Sequence, residues 1–130
     1  MEYKEPFASQ EERDKRVHHI GRGHEVDLGS HGSANVLLGQ KLMMSFVDMP
    51  ANSFADVHRH PDNEQVTIVL KGEADFVVEG KVYNVKEGDV LIFLPNEAHG
   101  AYMGPSGARV LDIFTPPRDD LMQKIRENEE

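Results

Sequence analysis

From residue 41 to residue 115 the sequence is a succession of short apolar-alternating stretches, each cut off by Gly, Pro or Asn. Lys41–Met49 alternates and ends at Pro50-Ala51-Asn52. A stretch through His58 turns at Pro61-Asp62-Asn63, and a continuous apolar run, Val66–Leu70, reads as a buried strand. Lys71-Gly72 reads as a turn into Glu73–Glu79, where Ala74, Phe76 and Val78 share one face. Glu79-Gly80-Lys81 is a hairpin turn back along Val82–Lys86, and Glu87-Gly88-Asp89 turns again into Val90–Leu94. His99, Ala101 and Met103 share a face, Gly104–Gly107 reads as a loop, and Arg109–Phe114 is the last strand. Many short strands at close spacing with Gly turns predict an all-β barrel or sandwich. With 130 residues the chain can bury a proper core as one domain.

The flanks add little chemistry. Ser9 and Glu12 have capping-box spacing, so residues 1–16 are expected to hold a short solvated helix. Residues 17–40 carry His18, His19, His24 and His31 among many glycines, none with the same-face spacing of a strand ligand pair, and read as edge strands and loops. Thr115-Pro116-Pro117 reads as the start of a closing helix with Leu121 and Ile125 on its inner edge. The expected organisation is an arm with edge strands over 1–40, then a barrel with a C-terminal helix over 41–130, in one domain.

The chemistry concentrates at His58-Arg59-His60. Two residues apart on a strand, both imidazoles point to one face and Arg59 points away. Such a pair, facing a third polar side chain, can bind a divalent metal. The bland alternative is that these histidines pack or hydrogen-bond structurally. Four residues separate His60 from Gln65, which has Gly72 beyond it, and His99 stands eleven residues after Gly88.

These residues resemble the two motifs of a small single-domain cupin, a double-stranded β-helix of the jelly-roll type. Asn52, His58, His60, Gln65 and Gly72 follow the spacing of the first motif, and Gly88 to His99 that of the second. Pro95 comes one place late, Met103 stands where the family has Asn, and Asn52 and Asn96 stand where it has Gly. Asn is the non-glycine residue that best tolerates left-handed backbone, so the turns can survive. The resemblance implies one divalent transition metal per chain (Ni, Mn, Fe, Co or Zn) on His58, His60, Gln65 and His99. Such a set is uncharged, so the ion keeps its double positive charge and acts as a strong Lewis acid. Glu64 competes with Gln65 for the fourth place, and only one of two consecutive strand residues can point inward. The spacing to Gly72 favours Gln65.

A second constellation is Asp112, Phe114 and Arg118. Asp112 and Phe114 share a face with Val110, so an inward face would put an acid in a largely apolar cavity. Burial would raise its pKa and a nearby cation would lower it. Taken alone, Asp112 reads more simply as the partner of Arg118 in a salt bridge. Together with the histidines, Asp-x-Phe-x3-Arg resembles the pectin-degradation (KdgF-like) cupins, which linearise the 4,5-unsaturated uronates left by polyuronide lyases. The likeness spans about residues 41–121. It implies metal-dependent ring opening and ketonisation, an isomerase or tautomerase type of activity on a sugar acid, with Asp112, Phe114 and Arg118 needed for turnover. It also implies a homodimer. An iron dioxygenase on the same ligands, or a non-enzymatic ligand-binding cupin, are the alternatives.

The balance of charge bears on partners. A formal charge of -9 argues against nucleic acid and anionic membrane. An anionic substrate must then be drawn in by a local positive centre, a metal or an arginine. Without cysteine there is no disulfide framework and no thiolate zinc site. No apolar run reaches the ~18 residues of a spanning helix, and the charged N-terminus is unlike a signal segment, so a cytoplasmic protein is expected.

Overall fold

The structure is a computed structural model and describes residues 2–129. Helix α1 (Gln10–Arg16) is followed by β1 (His24–Asp27), a 3-10 turn (Gly29–His31), β2 (Ser33–Leu38), β3 (Met43–Met49) and β4 (Phe54–His58). Then come β5 (Glu64–Val78), β6 (Lys81–Lys86), β7 (Val90–Phe93), β8 (His99–Thr115) and helix α2 (Asp119–Glu129). All pairings are antiparallel, within one eight-stranded sheet.

Two strands are too long for one layer, and they make the barrel. The first half of β5 lies between β7 and the second half of β8, which continues to β3, β2 and β1. The second half of β5 lies between β6 and the first half of β8, which continues to β4. The sheet thus folds into two facing layers, and Phe76 and Phe93, from opposite layers, meet with ring centroids 6.1 Å apart. This is a double-stranded β-helix closed by a short C-terminal helix.

The fold corrects two expectations. Lys71-Gly72 is not a turn between strands, and Gly104–Gly107 is not a loop: β5 and β8 run straight through them. Register shifts at Val69/Lys71 and Gly72/Ala74 bend the paired strands from one layer to the other. Glycine is required at the crossing. Gly72 has φ +82, and a Cβ there would lie 2.4 Å from the carbonyl oxygen of Gly107. Gly and flanking polar residues signal a break in a strand, but a bulge uses the same residues without ending the pairing. Asn52 (φ 60) and Asn96 (φ 68) do adopt left-handed backbone.

The core is the inward residues of both layers, among them Val36, Met43, Val69, Phe76, Phe93, Val110 and Phe114. Leu121 and Ile125 of α2 join it, and Asn128 donates to the carbonyl of Glu25 at 3.0 Å. α2 begins at Asp119 rather than at Thr115, so the two prolines form its approach. Asp119 and Asp120 then occupy the first turn, where the helix dipole favours acids. α1 is capped by reciprocal Ser9 and Glu12 bonds and buries no residue. No described helix is long and apolar enough to cross a membrane.

Candidate metal centre

Three imidazoles meet at the end of the barrel where β4 stops and β8 begins. His58 and His99 are direct register partners, and His60 follows two residues beyond the end of β4. Their ring centroids lie 4.5 to 5.3 Å apart, and one nitrogen from each falls within 4.8 Å of the others. Local backbone fixes two of the rings. His58 Nδ1 is 2.6 Å from the carbonyl oxygen of Asp56, and His99 Nδ1 is 3.0 Å from that of Glu97. A carbonyl only accepts, so in both rings Nδ1 carries the proton and Nε2 keeps its lone pair.

The donor set fits a metal. His60 Nε2, His99 Nε2 and Gln65 Oε1 are buried without any hydrogen-bond partner, and each such atom would cost about 1–3 kcal/mol if nothing answered it. Gln65 explains its own orientation. Its Nε2 donates to Thr67 Oγ1 at 2.9 Å and towards Asp112 Oδ1 at 3.4 Å, which leaves the oxygen free. Burial, with the charge of Arg118 and the neighbouring imidazoles, pushes the His60 pKa down to about 3. Burial also lowers that of His99, against the Glu97 carbonyl, which raises it. Neutral imidazole is the ligand form.

The acid sits on the same inner wall. Ser45, Asp112 and Thr67 form one register row across β3, β8 and β5, and Met43, Phe114, Gln65 and Phe93 form the next. Asp112 Oδ1 accepts from Thr67 Oγ1 at 2.6 Å. Burial raises the carboxyl to about 6, with the Thr67 bond, the Arg118 charge and the Gln65 bond opposing it. Phe114 is fully buried and meets His60 edge-on at 6.0 Å. The Arg118 guanidinium lies 4.9 Å from the centre of the Phe114 ring.

Arg118 does not pair with Asp112. Its Nε and Nη2 make a fork to the two carboxylate oxygens of Asp120, at 3.0 and 2.5 Å. Asp120 is drawn two ways: burial raises its pKa, and the Arg118 bond and charge lower it further, leaving it below the ordinary range. Nη1 of Arg118 makes no hydrogen bond to the described residues. The simpler Asp112–Arg118 salt bridge is therefore absent.

His58, Gln65, His99, Asp112 and Arg118 line one cavity of about 330 Å³. Gln65 is buried and Glu64, on the opposite face of β5, is exposed. Sequence reasoning did not single out His31 or Lys124, which line the same cavity from the 3-10 turn and from α2. Neither carries a periodic signal, because each reaches the cavity through the packing of a peripheral element. Of the other N-terminal histidines, His18 and His19 are exposed, and His24 lies 3.5 Å from Glu129.

Comparison with known proteins agrees with the fold. The Cupin domain family matches residues 45–114, more than half of the chain, and the protein belongs to that family. Pectin degradation protein KdgF of Dickeya dadantii (strain 3937) is 31% identical over 81 residues, which cover 62% of this chain and 74% of that protein. Within the family, the chain is a KdgF-like cupin. An RmlC-like cupin from Shewanella frigidimarina NCIMB 400 superposes with a TM-score of 0.71 at 27% identity, over 81% of this chain and 96% of that one. KdgF from Halomonas sp. superposes with a TM-score of 0.70, over 78% and 99% of the two chains. At 22% identity that second likeness is one of fold.

Proposed function

We propose that the protein is an enzyme of pectin-type polyuronide degradation that opens the ring of a 4,5-unsaturated galacturonate or glucuronate and ketonises it. The observation that carries this reading is Asp112. Its carboxyl, with a pKa raised to about 6, lines the same cavity as the His58 and His99 imidazoles and is held by Thr67 and Gln65. A structural acid in this barrel would be expected to pair with Arg118, and it does not.

The reaction is a net isomerisation. The hydroxyl on C1 loses its proton and the bond from C1 to the ring oxygen breaks, which makes C1 an aldehyde. The ring oxygen stays on C5 as an enol, and C4 gains a proton as C5 becomes a ketone. No oxidant and no water are consumed. Asp112 carries the proton: a carboxyl with a pKa near 6 can both accept and return it at neutral pH. Arg118, anchored on Asp120 and packed against Phe114, offers Nη1 to the substrate carboxylate, and Phe114 holds the floor beneath His60. His58, His60, Gln65 and His99 would hold one divalent transition ion, which supplies Lewis-acid polarisation of substrate oxygens.

The test is to mix metal-loaded protein with freshly lyase-generated unsaturated monouronate and follow its near-UV absorbance. The expected result is a loss much faster than the spontaneous one, with no signal at an oxygen electrode. An unchanged rate would end this reading, and oxygen consumption would make the protein an oxygenase instead.

A further inference from the structure

Of the three imidazoles, only His60 stands outside a strand. His99 opens β8, β4 ends at His58, and β5 does not begin until Glu64. Sheet pairing therefore cannot fix His60, and its hold comes from the turn between β7 and β8. The carbonyl oxygen of His60 accepts from the backbone N–H of Asn96 at 3.0 Å. Arg59, which strand alternation turns away from the two histidines, donates through Nη1 to the carbonyl oxygen of Asn96 at 2.8 Å. Residues 59 and 60 thus hold both backbone groups of Asn96, three residues before His99.

Glu79 holds the same turn from its other side. Its backbone N–H donates to the carbonyl oxygen of Ala98 at 2.8 Å, and its Oε1 accepts from the N–H of Ala98 at 2.7 Å. That Oε1 also lies 3.5 Å from Nη1 of Arg59. The Arg59–Glu79 pair therefore joins three segments at this end of the barrel: the stretch after β4, the β7–β8 turn and the β5–β6 hairpin.

The backbone at Glu79 is a second, independent sign. Val78 and Lys81 are register partners, so Glu79-Gly80 is a two-residue hairpin turn, and both residues have positive φ, 46 and 80. Such a turn favours Asn-Gly, and left-handed backbone costs a glutamate free energy. Asparagine would relieve that cost, but its side chain is one methylene shorter and falls short of Ala98 and Arg59.

We propose that Arg59 and Glu79 are positioning residues of the metal centre. They clasp the segment that bears His60 to the turn that delivers His99, and so preset the spacing of the imidazoles. The inference rests on the metal site of His58, His60, Gln65 and His99, but not on the reaction. Neither residue lines the cavity, and both side chains are about half exposed, 53% and 50%. Water can answer the groups they leave, and an exposed ion pair adds little to a fold. Their loss should be felt in the metal rather than in folding, since partners that orient metal ligands are typically worth about 10–100-fold in metal affinity.

The test titrates chelator-stripped protein with Co²⁺ against a competing chelator of known affinity, beside thermal melts of the same metal-free samples. Wild-type protein should bind one Co²⁺ per chain. Arg59→Met keeps the aliphatic stem and removes the guanidinium. It should bind Co²⁺ about 10–100-fold more weakly, with an altered visible Co²⁺ spectrum and a melting temperature within about 4 °C of the wild type. Glu79→Asn installs the residue that the turn prefers. It should melt at or above the wild-type temperature and still bind Co²⁺ at least about 10-fold more weakly, a split that a role in stability alone would not give. Unchanged affinity in either variant of a protein that binds the ion overturns the clasp and leaves the metal site standing. Affinity that falls only in step with the melting temperature also overturns it. A wild-type protein that takes up no Co²⁺ removes the metal site itself, and the clasp with it.

Discussion

Asp112→Asn separates a proton carrier from a structural acid, and the structure sets the size of both effects. In metal-free protein the carboxyl has its pKa raised to about 6 by burial, against roughly 4 in an unfolded chain. The folded state therefore binds the proton more tightly. The group favours folding fully below about pH 4, and that advantage is lost as pH rises through 6. A shift of this size corresponds to about 3 kcal/mol. Asparagine carries no charge and keeps an oxygen to accept from Thr67 and Gln65, which both bond Oδ1. At pH 7.5 the metal-free variant should thus be more stable than the wild type by up to about 3 kcal/mol. In a domain of this size that is a rise in melting temperature on the order of 10 °C. At pH 4 the difference should vanish. Bound metal stabilises the wild-type carboxylate and should shrink the gain. Turnover of the loaded variant should fall by about 10²–10⁴-fold. The checks are melts of chelator-stripped protein at the two pH values and near-UV kinetics on unsaturated monouronate. A variant that is destabilised at pH 7.5 by the 3–5 kcal/mol of a broken buried ion pair, or that turns over at the wild-type rate, refutes the reasoning.

Other outcomes follow from the same geometry. The purified protein should carry close to one transition ion per chain, and His58→Ala with His60→Ala should empty the site in elemental analysis. Gln65→Ala should weaken metal retention much more than Glu64→Ala, because only Gln65 turns a buried, unanswered oxygen inward; the reverse order would mean that Glu64 reaches the ion. Arg118→Ala should act mainly on KM if the guanidinium binds the substrate carboxylate uniformly, with Asp112 unaffected as a hydrogen-bond acceptor; an equal fall in kcat would give Arg118 a part in the transition state. Gly72→Ala should lower stability by several kcal/mol in urea titrations, since it combines a left-handed φ with a backbone clash at 2.4 Å; a neutral result would show that the crossing can open.

The sequence by itself determined the class of fold, the strand faces and the histidines that converge. Strand period is a local property, and residues two apart on extended backbone share a face, so His58 and His60 were legible as a pair without any coordinates, although β4 ends at His58 and His60 lies two residues beyond it. Alternation alone said only that one of Glu64 and Gln65 points inward; the motif spacing to Gly72 favoured Gln65, and the structure buries Gln65 and exposes Glu64. What only the tertiary structure decided were matters of long-range contact. Gly72 and Gly107 mark bends rather than ends because each packs against backbone distant in sequence, Gly72 on Gly107 and Gly107 on Met49. Arg118 could bond Asp112 or Asp120 on spacing alone, and the approach of α2 gave it to Asp120. His31 and Lys124 reach the cavity only because a 3-10 turn and a helix happen to close over it. Pairing with the neighbouring strands, which no local pattern encodes, lines up Met44, Ile113, Val66 and Ile92, and beside them Phe46, Leu111, Ile68 and Val90, into two adjacent apolar rows on the outer surface.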